Sequence, residues 1–216
     1  MEISASMVKE LRESTGAGMM DCKKALQEAN GDMEKAVDIL REKGLGKAAK
    51  KADRLASEGL VSVVVSDDNK TATITEINSE TDFVAKNATF VDLVKNTTLH
   101  VQTNSITTVD ELKESSIGGV KFEEFFQSQI ATIGENMSIR RFEKITTDGV
   151  IVPYIHGGGR IGVLVEASAD VVNDEVKEAL KNVAMQVAAL NPKYLSSDEI
   201  PQDYKDHEKE ILIAQL

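Results

Sequence analysis

The sequence predicts an α+β fold: a three-helix N-terminal module, a connector, and two related subdomains of helices and antiparallel strands, the second of them incomplete. Three observations predict it. Apolar residues recur at helical spacing between Met7 and Leu40, the period drops to two at Gly59, and the segment opening at Gly59 recurs from Gly149. Strands and helices fall in sequence-local clusters without strict βαβ alternation, which is the α+β pattern.

Met7, Val8 and Leu11 stripe the first helix, with Ser4 or Ser6 as its N-cap. Cys22, Ala25, Leu26 and Ala29 stripe the second at i, i+3, i+4, i+7, and Met33, Ala36, Val37 and Leu40 repeat that spacing in the third. Thr15-Gly16-Ala17-Gly18 separates the first pair. Asn30-Gly31 ends the second helix with residues that tolerate a left-handed backbone, and Asp32 opens the third as an N-cap acid. From Gly44 to Glu58, Lys47, Lys50, Lys51 and Arg54 alternate with alanines, giving a basic, helix-prone connector with little to bury.

Val61, Val63 and Val65 then alternate along a strand, Asp67-Asp68-Asn69-Lys70 turns the chain, and Ala72, Ile74 and Glu76 alternate with threonines along a second strand, so a hairpin is expected. Ser79 to Asp82 supplies cap-type residues before a helix reaching towards Gln102. Phe122, Phe125, Phe126 and Ile130 share one side of a further helix, which Gly134-Glu135-Asn136 stops, and Ile139 to Ile145 reads as a strand. In the repeat, Lys70 lies over Arg160, Ile74 over Leu164 and Glu76 over Glu166; after a short deletion, Leu99-His100-Val101 lies over Met185-Gln186-Val187, and Thr107 to Leu112 over Ser196 to Ile200. The second unit has no counterpart of the aromatic helix or of the last strand.

Composition narrows the function. With 41% apolar residues over 216 positions the chain has material for a core. Lys plus Arg number 25 against 36 Asp plus Glu, a net charge of −11, which is the wrong sign for a protein that grips phosphate backbones. No direct nucleic-acid binding is expected. The single Cys22 can close no internal disulfide and build no zinc cage, which fits a reducing compartment, and cytoplasm is the expected location. Neither a signal-type h-region at Met1 to Lys9 nor an apolar run long enough for a bilayer is present, so neither export nor membrane insertion is expected.

Three motifs stand out. In TGAGMMDCKKAL, a methionine pair would ordinarily fill core, yet the stripe from Cys22 already occupies the inward face. At least one of Met19 and Met20 should therefore be exposed as an adaptable docking patch, rimmed by Arg12. In SETDFVAKN, Asp82 sits where a helix N-terminus favours a carboxylate. Periodicity alone favours a plain N-terminal acid beside a core phenylalanine; the other reading is a wedge combining a charge with a bulky apolar group. In His156-Gly157-Gly158-Gly159-Arg160 the glycines precede a strand and not a helix, so a hairpin loop is expected in place of a phosphate cradle, with His156 as a surface contact. His100, His156 and His207 lack metal-ligand spacing, and no nucleophile elbow, P-loop or Cys/His pairing is present. No catalysis, cofactor, metal or small-molecule substrate is expected.

The opening through TGAGMMDCKKALQEANGD, then KAAKKA, TDFVAKN, IGENMSIRRF and HGGGRIGVLVE, resemble the elongation factor Ts family in that order and cover nearly the whole chain. The resemblance implies a UBA-like helical module over residues 1–45, a basic linker over 46–57, a core N-subdomain over 58–146 and the first part of a core C-subdomain over 147–216. It implies a non-enzymatic guanine-nucleotide exchange factor in translation elongation, whose partner is elongation factor Tu. Thr81, Asp82, Phe83 and Val84 would intrude beside the partner's Mg²⁺ site; Arg12, Met19 and Met20 would dock on its GTPase domain, and the His156 loop would hold another of its domains. Lys51, Gly134, Glu135 and Asn136 are lesser contact candidates. Because family members continue beyond a segment like Glu208 to Leu216, the chain is expected to be a truncated one. An adaptor built on the helical module, or an RNA binder using Lys47 to Arg54, would leave the Asp82-Phe83 pair unexplained.

Overall fold

The structure, a computed structural model, describes residues 3–215; Met1, Glu2 and Leu216, at the outer limits of the first and last expected units, lie outside the described residues. In chain order the elements are α1 (Ala5–Thr15), α2 (Met19–Glu28), α3 (Met33–Ala49), β1 (Glu58–Val65), β2 (Thr71–Ser79), α4 (Asp82–Ala85), α5 (Ala88–Thr103), α6 (Val109–Glu114), β3 (Ser116–Ile117), β4 (Val120–Lys121), α7 (Phe122–Ile133), β5 (Met137–Thr146), β6 (Val150–His156), β7 (Ile161–Ala167), α8 (Asp174–Leu190), a 3₁₀ turn (Ser197–Glu199) and α9 (Gln202–Ala214).

The three predicted N-terminal helices form around Val8, Leu11, Cys22, Ala25, Leu26, Ala29 and Ala36. Ser4, of the two cap candidates, takes the role, its hydroxyl accepting from the Met7 N–H at 3.3 Å. Asp32 caps α3 by accepting from the Lys35 N–H at 3.1 Å. One expectation is corrected. The stretch from Gly44 buries more than a bare connector would, because α3 continues to Ala49 and packs along α7, with Gly44 and Ala48 buried. The cause is residue size: alanines and lysines sustain the helix, and the small residues let the two helices approach.

The core carries a three-stranded antiparallel sheet in the order β1-β2-β5. Val61 pairs with Glu76 across β1-β2, and a bulge after Glu76 shifts the β2-β5 register so that Ile77 faces Ile139. Helix α5 covers one face through Phe90, Leu93, Val94 and Val101, while α7 adds Phe122, Phe126 and Ile130 to the same core. The second hairpin, β6-β7, is a separate two-stranded sheet that leans on β1, where the Val61 N–H donates to the Gly159 carbonyl at 2.7 Å.

The repeat is visible in three dimensions. Hairpin β1-β2 with α5 matches β6-β7 with α8, both helices opening on an asparagine cap, Asn87 and Asn173. Thr108 opens α6 where Ser196 opens the 3₁₀ turn. Among the described residues no helix is long and apolar enough to cross a membrane.

Candidate functional site

Strand β2 ends at Ser79, whose hydroxyl donates to the Thr81 carbonyl at 3.1 Å and turns the chain off the sheet edge. Thr81 is extended and caps α4, its hydroxyl accepting from the Val84 N–H at 3.4 Å. A four-residue helix has little surface to bury, and of α4 only Ala85 is fully buried, with Val84 packing against the core beside it. Asp82 and Phe83 are left facing out. Phe83 is 80% exposed, which rejects the core-filler reading that periodicity alone favoured. A bare phenyl ring of that exposure costs hydration free energy that a docking partner would recover.

Asp82 carries its charge on the same turn. The Lys86 ammonium, 2.7 Å from Asp82 Oδ2, donates to it and, with Arg160 as a more distant cation, holds the Asp82 carboxyl below the usual carboxylate range. Lys86 was not singled out in the sequence, although its position four residues after an acid on a helix is a signal for such a pair.

Behind this corner the structure gathers four of the lesser candidates. Gly134, in a left-handed conformation, closes α7, and its carbonyl accepts from the Lys51 ammonium at 2.8 Å. Glu135 accepts twice from Thr81, from the backbone N–H at 3.0 Å and from the hydroxyl at 2.7 Å. In the opposite direction, Glu80 accepts from the Asn136 N–H at 2.5 Å. The Asn136 carboxamide donates to the carbonyls of Ala52 at 3.3 Å and Arg54 at 2.7 Å, and Arg54 stands 3.5 Å from Glu80. The Lys51 ammonium, both Glu135 carboxylate oxygens and the Asn136 backbone and amide N–H groups are thus engaged within the chain. The sequence offers Glu80 only as a cap-type residue; its pairing with Asn136 joins residues more than fifty positions apart, and no local spacing reports such a contact.

Arg12, Met19 and Met20 lie on the helical module and not at this corner. Arg12 is exposed in the last turn of α1, and the two methionines, at the start of α2, are 57% and 63% exposed. Both therefore stand clear of the core that Cys22, Ala25 and Leu26 fill. His156 ends β6, exposed, its Nδ1 2.9 Å from the Tyr154 hydroxyl. Gly157, Gly158 and Gly159 after it all take positive φ, which is a hairpin loop with no helix N-terminus behind it.

Comparison with known proteins gives one consistent answer. Residues 80–216 match the family described as Elongation factor TS. Over its whole length the chain is 70% identical to a Campylobacter fetus protein, 56% to one from Nitratiruptor sp. and, over 99% of its length, 55% to one from Clostridioides difficile, each named Elongation factor Ts. The chain spans 62% of the length of the Campylobacter fetus relative and 72% of the Nitratiruptor one.

Proposed function

Because this chain belongs to the elongation factor Ts family, we propose that it is a guanine-nucleotide exchange factor: it binds elongation factor Tu carrying GDP in the cytoplasm and promotes release of the nucleotide, making and breaking no bond itself. The observation that carries the reading is Phe83, 80% exposed beside the charge of Asp82 on one short helical turn. A bulky ring and a carboxylate arriving together at the partner's nucleotide site would displace the side chains that support its Mg²⁺, and loss of that ion removes the principal charge clamp on the GDP phosphates. The UBA-like helical module, through Arg12, Met19 and Met20, would supply docking area, and the His156 loop a second hold on another domain.

Thermodynamic linkage constrains the mechanism. If the factor weakens GDP binding by some ratio, GDP weakens binding of the factor by the same ratio, so exchange is accelerated in both directions and the cellular excess of GTP sets the outcome. The experiment is calorimetric titration of elongation factor Tu with this protein, with and without saturating GDP. The reading expects affinity to fall when GDP is present. Equal affinity in the two titrations would reject it, since a ligand with no differential affinity shifts no equilibrium.

A further inference from the structure

We infer that Glu135 is a positioning residue, which with Glu80 forms a crossed pair of carboxylates that fixes where Asp82 and Phe83 stand; the inference rests on the exchange-factor reading. Helix α4 is a single turn of four residues, far below the length at which a helix persists unaided. Its cap bond, from the Val84 N–H to the Thr81 hydroxyl, is long at 3.4 Å. Glu135 gives that turn its support, binding Thr81 by both backbone and hydroxyl through charge-assisted bonds.

Glu135 is itself well anchored. It follows the C-cap of α7, a helix seated in the core by Phe122, Phe126 and Ile130. The next residue, Asn136, is nearly buried and ties the connector carbonyls of Ala52 and Arg54 to the same corner, while Glu80 returns a carboxylate to the Asn136 N–H. Each of the two segments therefore gives a carboxylate to the other's backbone. An exposed phenyl ring on an otherwise free turn would have to be ordered after the helical module has docked, at the step where Asp82 and Phe83 intrude beside the nucleotide; held in place beforehand, the barrier to that step falls while docking is little changed. With both oxygens committed to Thr81, Glu135 acts through the corner and not by reaching the partner.

The test is the saturating rate, and the half-saturating concentration, of fluorescent GDP release from elongation factor Tu stimulated by Glu135→Ala and Glu135→Gln. Glu135→Ala is expected to lower the saturating rate by about tenfold, with the half-saturating concentration changed less than about twofold. Glu135→Gln keeps both contacts to Thr81, its amide oxygen accepting and its amide nitrogen donating to the hydroxyl, and is expected to restore most of the rate. In an Asp82→Ala, Phe83→Ala background, Glu135→Ala should slow release no further. Equal loss in Glu135→Gln, a raised half-saturating concentration, or a multiplied effect in that background would overturn the inference by making Glu135 a charged contact to the partner. Hydrogen exchange of the isolated protein provides a second readout independent of the partner. In Glu135→Ala the hydrogen-bonded amides of Thr81, Val84 and Ala85 should exchange about tenfold faster while those of α2 are unchanged; unchanged exchange would also overturn it. Should the unmutated protein fail to stimulate release, the exchange-factor reading falls, and the hydrogen-exchange comparison still judges the clamp.

Discussion

Gly59 lies flat against the carbonyl of Ile77: a Cβ at position 59 would stand 2.2 Å from that oxygen. Gly149 repeats the arrangement in the second hairpin, where a Cβ would stand 2.1 Å from the carbonyl oxygen of Ala167. The two units share a backbone crossing as well as a sequence pattern. Gly59→Ala and Gly149→Ala are each expected to lower stability by roughly 3 kcal/mol, read as a lower urea midpoint at unchanged slope. Wild-type midpoints in both variants would contradict the close approach.

Gly44 gives the opposite expectation. It sits inside α3 where a Cβ would meet the Ala131 Cβ at 3.8 Å, an ordinary van der Waals distance. Gly44→Ala should stabilise the protein by about 0.5–1 kcal/mol through helix propensity, whereas Gly44→Leu should wedge α3 from α7 and destabilise it. Thermal unfolding of the two variants checks the sign of each.

Met20 and Leu26 share one helix and oppose each other in role. Leu26→Ala empties a fully buried site and should cost about 2–5 kcal/mol of stability. Met20→Ala removes an exposed side chain, so stability should move by less than about 0.5 kcal/mol while affinity for elongation factor Tu, the proposed partner, falls. Circular dichroism melts with a binding titration separate the two; loss of helicity in Met20→Ala would return that residue to the core.

His100 stacks on the fully buried Phe122, with Nε2 2.8 Å from the Ser115 hydroxyl and Nδ1 3.3 Å from the Asn104 amide nitrogen. Burial pushes its pKa below the ordinary 6.5. Between the folded and unfolded values the unfolded chain holds the extra proton, so stability rises with pH in that window. The contribution is fully present above 6.5 and is lost as pH falls through the lower, folded value. His100→Gln should flatten this part of the dependence, measured as urea midpoints on either side of 6.5. An unaltered slope would contradict it.

Much of this architecture was legible from local pattern. The stripe from Cys22 identified the bundle core, Gly134 marked the end of α7, and the Gly59/Gly149 repeat located both hairpins, because each signal depends on residues within a few positions of one another. The packing of α3 on α7 was not legible, since small residues such as Gly44 and Ala48 look the same in a solvated connector and at a close helix crossing. At the candidate site, sequence pattern placed Asp82 and Phe83 together on a helix start but could not choose between wedge and core. Exposure excludes the core reading for Phe83, and the Glu80 and Glu135 contacts behind it come from tertiary folding alone.

The central claim is that Asp82 and Phe83 together loosen another protein's hold on its guanine nucleotide. Stopped-flow release of fluorescent GDP from elongation factor Tu, driven by saturating Asp82→Ala or Phe83→Ala protein, tests it most directly. The account predicts that each variant still binds yet releases GDP slower by about tenfold or more. Release at the unmutated rate by both variants would contradict it.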